Sequence, residues 1–70
     1  MKLSTRNQLP GTVAAITQGE AMAVVKVRLD GSDHTITSAI TKDAVADLGL
    51  AEGSPVVVLV KSTEVTLAVQ

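Results

Sequence analysis

Cysteine, phenylalanine, tyrosine and tryptophan are all missing from this chain of 70 residues. Without cysteine there is no disulfide and no thiolate zinc site. Without aromatic rings a barrel built from this chain has no platform for stacking bases, which argues against a single-stranded nucleic-acid binder. Histidine occurs once, at His34, so a nitrogen-rich metal site would have to draw on several chains. Neither sign of charge dominates, since six lysines and arginines face seven acidic residues for a formal net charge of −1. No long-range field then pulls the chain toward nucleic acid or anionic lipid, and any anion must be held by local groups. No apolar run approaches the roughly 18 residues of a membrane-spanning helix, and residues 1–9 lack the apolar stretch of a signal peptide. The expectations are a cytoplasmic protein with no nucleic-acid and no membrane partner.

Aliphatic side chains are abundant. Hydrophobic residues make up 46% of the sequence and the mean hydropathy is +0.36. A chain this short buries a small fraction of its surface, so one domain over residues 1–70 is expected, with a marginal core of its own. Disulfides, a structural metal or self-association usually support such a chain. The first is excluded and the second would itself need several chains, which leaves a homo-oligomer.

Periodicity divides the chain into short strands. Residues 11–18, introduced by the turn signal Pro10-Gly11, carry Val13 and Ile16 among small residues and read as a strand. Over residues 22–30, Met22, Val25, Val27 and Leu29 partly alternate with Lys26 and Arg28, the pattern of a strand with one wet face. Gln18-Gly19-Glu20 reads as the hairpin between them and Asp30-Gly31-Ser32-Asp33 as the next turn, leading into a third strand over residues 34–40. Thr41 suits a helix N-cap, with Asp43 in the first turn, an apolar stripe of Ala44, Val45 and Leu48, and Gly49 at the C-terminal end. Pro55 can open a strand without donating, and residues 56–60 form a continuous apolar run that reads as buried on both faces, which again calls for a partner chain. Val65, Leu67 and Val69 alternate with Glu64, Thr66 and Ala68 as a last short strand. Five or six strands and one short helix predict an all-β chain folded as a small OB-like barrel (oligonucleotide/oligosaccharide-binding type) that oligomerises. Its narrow interior is filled by side chains, so binding is expected at edges or interfaces.

No catalytic arrangement stands out. His34 lies beside Asp33 in the turn with no nucleophile motif near it, and the pairs Asp30 with Asp33 and Asp43 with Asp47 read as solvated carboxylates. Gly31-Ser32 and Gly53-Ser54 are turns and lack the long glycine-rich loop that cradles phosphate. Two clusters mix a cation with hydroxyl donors, Ser4-Thr5-Arg6-Asn7 and Lys61-Ser62-Thr63. Such residue types suit a compact oxyanion, whose oxygens only accept and whose charge needs fixed cations. Composition alone reads them first as a frayed terminus and a polar turn. Thr41 is a plain N-cap first, although a hydroxyl that accepts from its own helix still has a hydrogen to donate, and a helix N-terminus is an anion-friendly environment.

Ser4-Thr5-Arg6-Asn7-Gln8-Leu9 with Gly11-Thr12-Val13 resembles the S-A-R-N-x-L-x-G-x-V opening of the molybdate-binding Mop (molbindin), or TOBE-type, family, with Thr5 where alanine is usual. The resemblance continues through Ala39-Ile40-Thr41, Leu48-Gly49-Leu50, Glu52-Gly53 and the ending Val58-Leu59-Val60-Lys61-Ser62-Thr63-Glu64-Val65, and so covers essentially the whole chain. It implies an OB-like barrel assembled as a hexamer, a trimer of dimers, that binds molybdate or tungstate between subunits for molybdenum storage and homeostasis and catalyses nothing. No organic cofactor is implied, and no metal cation is ligated directly. By the same resemblance, Ser4 and Arg6 of one chain would meet Thr41, Lys61 and Ser62 of another, Ser62 through its backbone N–H. Thr5 adds a possible further donor and Asn7 is assigned to ordering the strand entry. Some relatives hold further oxyanions on the loop between the first two strands; here that loop, Gly19-Glu20-Ala21-Met22-Ala23, brings a carboxylate and a side chain without donors, which argues against a strong second site. Seventy residues opening on methionine favour a free-standing store, the alternative being a regulatory or interaction module of a molybdate transport or transcription system.

Overall fold

A computed structural model describes residues 2–70. Its strands are β1 (Asn7–Gln18), β2 (Met22–Leu29), β3 (Thr35–Thr41) and β4 (Pro55–Val60), with helix α1 (Lys42–Leu48) between β3 and β4 and a single 3-10 turn, Ser62–Glu64, after β4. They form one antiparallel sheet in the order β3-β2-β1-β4, curled into half a barrel.

β1 is the long spine of the sheet. Its first half pairs with β4, Asn7 opposite Val60 through Thr12 opposite Pro55, and its second half with β2, Gly11 opposite Leu29 through Gln18 opposite Ala23. A bulge between Val13 and Ala15 leaves Ala14 without a partner on β2. An extra residue of this kind bends its strand and increases the local twist, which is how a sheet of four strands begins to close. β1 starts four residues before the expected Gly11, because Pro10 lies inside the strand opposite Val57 instead of in a turn. The Pro10 carbonyl accepts from the Asp30 N–H at 3.0 Å, so its hydrogen-bonding side faces away from β4. Pairing with β2 begins only at Gly11, so the N–H that proline lacks costs no ladder bond.

Side chains of β2 alternate strictly, with Ala23, Val25 and Val27 buried and Val24, Lys26 and Arg28 exposed. Met22 faces out and the small Ala23 takes the interior place. Together with Val13 and Val45 these residues make the buried core, against which Ile16, Ile40, Leu50, Val56 and Val58 pack partly buried. Helix α1 begins at Thr41, whose Oγ1 accepts from the Ala44 N–H at 3.1 Å, and ends at Gly49 in the left-handed region at φ 63°. It sends only Val45 into the core; Ala44 is half-buried and Leu48 is 68% exposed, so the expected three-residue stripe is one residue deep here.

Two further expectations fail within this chain. The run 56–60 is not covered on both faces: Val56, Val58 and Val60 are half-buried while Val57 and Leu59 are exposed. Residues 65–69 form no strand, because none of the described residues pairs with them. The reason is common to both, since half a barrel has one covered face and two free edges.

Candidate functional site

Antiparallel pairing of β1 with β4 puts the start of one beside the end of the other. Asn7 sits opposite Val60, and its Nδ2 donates to the Val60 carbonyl at 3.1 Å, tying the corner as the sequence assigned. Residues 4–6 and 61–63 therefore leave the sheet side by side. On one flank the Gln8 Nε2 donates to the Thr5 carbonyl at 2.8 Å and fixes the incoming segment. On the other, Lys61 precedes the 3-10 turn, in which the Glu64 N–H donates to the Lys61 carbonyl at 2.9 Å. The N–H groups of Ser62 and Thr63 fall ahead of that first bond and have no partner inside the turn.

Ser4, Thr5, Arg6, Lys61, Ser62 and Thr63 line a hollow of about 180 Å³. Two cations and four hydroxyls converge there without a carboxylate. No side-chain hydrogen bond among the described residues engages Arg6 or Lys61, so both charges are available to a ligand. A recess with two cations, several hydroxyls able to donate and no carboxylate suits a small oxyanion, because every oxygen of such a ligand accepts. Its two fixed positive charges and lack of a carboxylate disfavour a cation. Among the described residues no group of histidine and carboxylate side chains is arranged to hold a metal ion. His34 is exposed in the turn before β3, where its backbone N–H donates to the Ser32 Oγ at 3.0 Å, and Asp30 accepts from the Thr12 Oγ1 at 3.2 Å.

The single chain already brings together most of the residues that the resemblance divides between two chains. Ser4, Thr5 and Arg6 meet Lys61 and Ser62 within one chain, and Thr63, which the sequence placed in the cluster without assigning it to the site, joins them. Thr41 stands apart. It pairs with Met22 on β2, near the far end of β1, where Gln18 lies opposite Ala23. The 12 residues of β1 separate the two ends by a contour of roughly 35 Å at about 3.3 Å per residue. Thr41 does not line the hollow of its own chain.

Comparison with known proteins places this arrangement in context. The TOBE domain family matches residues 3–67. Molybdenum-pterin-binding protein 3 of Clostridium pasteurianum is 40% identical over 67 residues, which is 96% of this chain and 97% of that protein. The solved structure of a molybdate-binding protein from Sporomusa ovata superimposes with a TM-score of 0.88 at 43% identity, covering 97% of this chain and 98% of the other. The cytoplasmic molybdate-binding protein ModG, in a form with molybdate bound, gives a TM-score of 0.82 at 44% identity over 89% of this chain and 43% of its own. With the curled four-stranded sheet, the short capped helix and matches spanning nearly every residue, the chain belongs to the TOBE domain family, in its molbindin branch of OB-like β folds.

Proposed function

We propose that this protein binds molybdate or tungstate as a cytoplasmic store for molybdenum homeostasis, without catalysing a reaction, at sites between the copies of a homo-oligomer. One observation carries the reading. The six residues of the hollow supply two cations and four hydroxyls with no carboxylate, in a chain whose relatives matched over nearly their full length are named for binding molybdenum-pterin or molybdate. Molybdate is a compact tetrahedral dianion, and a dianion leaving water needs both charge neutralisation and hydrogen bonds to its oxygens. Arg6 provides a planar fork of N–H donors and Lys61 a compact charge, while Ser4, Thr5 and Ser62 add hydroxyl or backbone donors. Thr41 belongs to the site only if a second copy brings it there, since its own chain holds it at the other end of β1. The assembly the family resemblance implies, a hexamer built as a trimer of dimers, supplies such contacts.

Calorimetric titration of the purified protein with molybdate, repeated in excess sulfate and alongside its mass in solution, tests this reading. Tight binding that survives sulfate, by an oligomer, is the expected result. A folded oligomer giving no heat with molybdate or tungstate would refute it. In that event the second reading stands, a regulatory or interaction module of a molybdate transport or transcription system, for which the observation is that the same fold forms less than half of the longer ModG chain.

A further inference from the structure

Four backbone carbonyls in or beside the hollow already accept a hydrogen bond from within the chain. The Val60 carbonyl accepts from the Asn7 Nδ2 at 3.1 Å, the Lys61 carbonyl from the Glu64 N–H at 2.9 Å and the Ser62 carbonyl from the Val65 N–H at 3.3 Å. The Thr5 carbonyl accepts from the Gln8 Nε2 at 2.8 Å. A bare carbonyl turned toward an anion repels it, so a site for an oxyanion gains when its acceptors are occupied and its donors are left free. The two flanks reach this state by different means. Residues 61–65 do it with their own backbone, through the 3-10 turn, in which an N–H reaches the carbonyl three residues before it. Residues 4–6 belong to no helix or strand and make no backbone hydrogen bond of their own among the described residues. The bond from Gln8 ties them down, across the same three-residue step but from a side chain. Gln8 itself is exposed on β1 opposite Leu59 and does not line the hollow.

We propose that Gln8 is a positioning residue of the oxyanion hollow, whose side-chain amide holds the Thr5–Arg6 peptide so that Arg6 is in place before the ligand arrives. This role rests on the oxyanion reading of the hollow. The peptide between Thr5 and Arg6 is planar and trans, so its carbonyl and its N–H point in opposite directions. Gripping the carbonyl therefore also sets the direction of the Arg6 N–H, which no hydrogen bond among the described residues uses, and the place from which the guanidinium starts. It occupies an acceptor of a residue that lines the hollow at the same time. Without the grip an anion would have to order residues 4–6 as it binds, and the free energy of that ordering is lost from the affinity. The net worth of one such hydrogen bond sets the ordered fraction, and it corresponds to about a three- to tenfold change in apparent affinity.

Gln8→Met tests this in the intact protein, because methionine has a similar reach and no hydrogen to donate. Nitrogen-15 relaxation of the free wild-type protein should give the Thr5 and Arg6 amides order parameters near the rigid value of about 0.85. The free variant should fall below about 0.6 at these two amides and recover when saturated with molybdate. Calorimetric titration with molybdate should give a Kd about three to ten times the wild-type value, with the mass in solution unchanged and Tm within about 4 °C. A residue that served stability alone would shift Tm and leave the affinity of the folded protein where it was. A folded variant that binds molybdate within about twofold of wild type overturns the proposal. So does weaker binding with Thr5 and Arg6 as ordered as before, since Gln8 would then act on the ligand by another route. Wild-type protein that gives no heat with molybdate sinks the oxyanion reading whatever Gln8 does, whereas wild-type binding with an unaffected Gln8→Met variant sinks only the positioning role.

Discussion

Gly11 is the position where this fold leaves least room, and its replacement by alanine tests the packing directly. Gly11 is buried and paired on both sides, opposite Leu29 on β2 and Val56 on β4. A methyl group there would lie 2.6 Å from the Val27 Cγ1 and 2.8 Å from the Arg28 carbonyl oxygen. Neither neighbour yields easily. Val27 is 4% exposed inside the core, and Arg28 lies in the β1–β2 ladder. Overpacking of this kind costs about 1–3 kcal/mol. Against it stands the smaller entropy of an unfolded chain with alanine in place of glycine, about 0.4–1 kcal/mol in favour of folding. The clash wins, and Gly11→Ala should destabilise by about 1–2 kcal/mol, lowering Tm by roughly 4–15 °C for a domain of this size. The assay is thermal and urea unfolding followed by circular dichroism, at matched protein concentration, because association makes Tm depend on concentration. Adding Val27→Ala to Gly11→Ala should cost clearly less than it does in the wild-type background, since it opens the space the new methyl needs. An alanine variant as stable as the wild type, or additive costs in the double variant, would refute the steric account.

Arg6→Ala and Lys61→Ala should each weaken molybdate binding by more than about tenfold, because a dianion is left short of a cation, while stability moves by no more than about 0.5 kcal/mol at these exposed positions; titration and thermal unfolding of the same samples check both halves. Thr41→Ala removes the hydroxyl that accepts from the Ala44 N–H and should cost about 1 kcal/mol, whereas Thr41→Ser keeps the cap and most of the stability, as urea midpoints will show. Val45→Ala removes the only fully buried side chain of α1 and should cost about 2 kcal/mol, read from urea unfolding; a loss below about 0.5 kcal/mol would mean that the helix is not anchored through it.

Features set by neighbours in sequence were legible before the fold was known. The Asp30-Gly31-Ser32-Asp33 turn, the helix from Thr41 to Gly49 and the strand opened by Pro55 all depend on local backbone chemistry: Gly31 and Gly49 take φ of 74° and 63°, a hydroxyl caps the first turn of α1, and a proline needs no donor at a strand start. The alternation of residues 22–29 announced a one-faced strand for the same reason, although its wrong member, Met22, shows that the choice between Met22 and Ala23 rests on what packs opposite. The donor clusters 4–7 and 61–63 were also visible as residue types, as was their match to a family opening and ending. The resemblance implied that they meet between chains; their meeting within one chain was not legible, because it follows from the register of β1 against β4 across more than 50 residues.

Other outcomes needed the third dimension for equally physical reasons. Pro10 reads as a breaker in any local window, and only the direction in which its missing N–H would have pointed makes it harmless inside β1. The apolar character of Leu48, Val57, Leu59 and residues 65–69 is plain in the sequence, which says that these side chains seek cover; the fold of a single chain shows that it cannot provide it. The sequence by itself determined four strands, the short helix and the chemistry they carry, though not where β1 begins or that residues 65–69 stay outside the sheet. The tertiary structure decided which of them meet, because pairing register and closure depend on contacts between residues far apart in the chain, and no local preference encodes those.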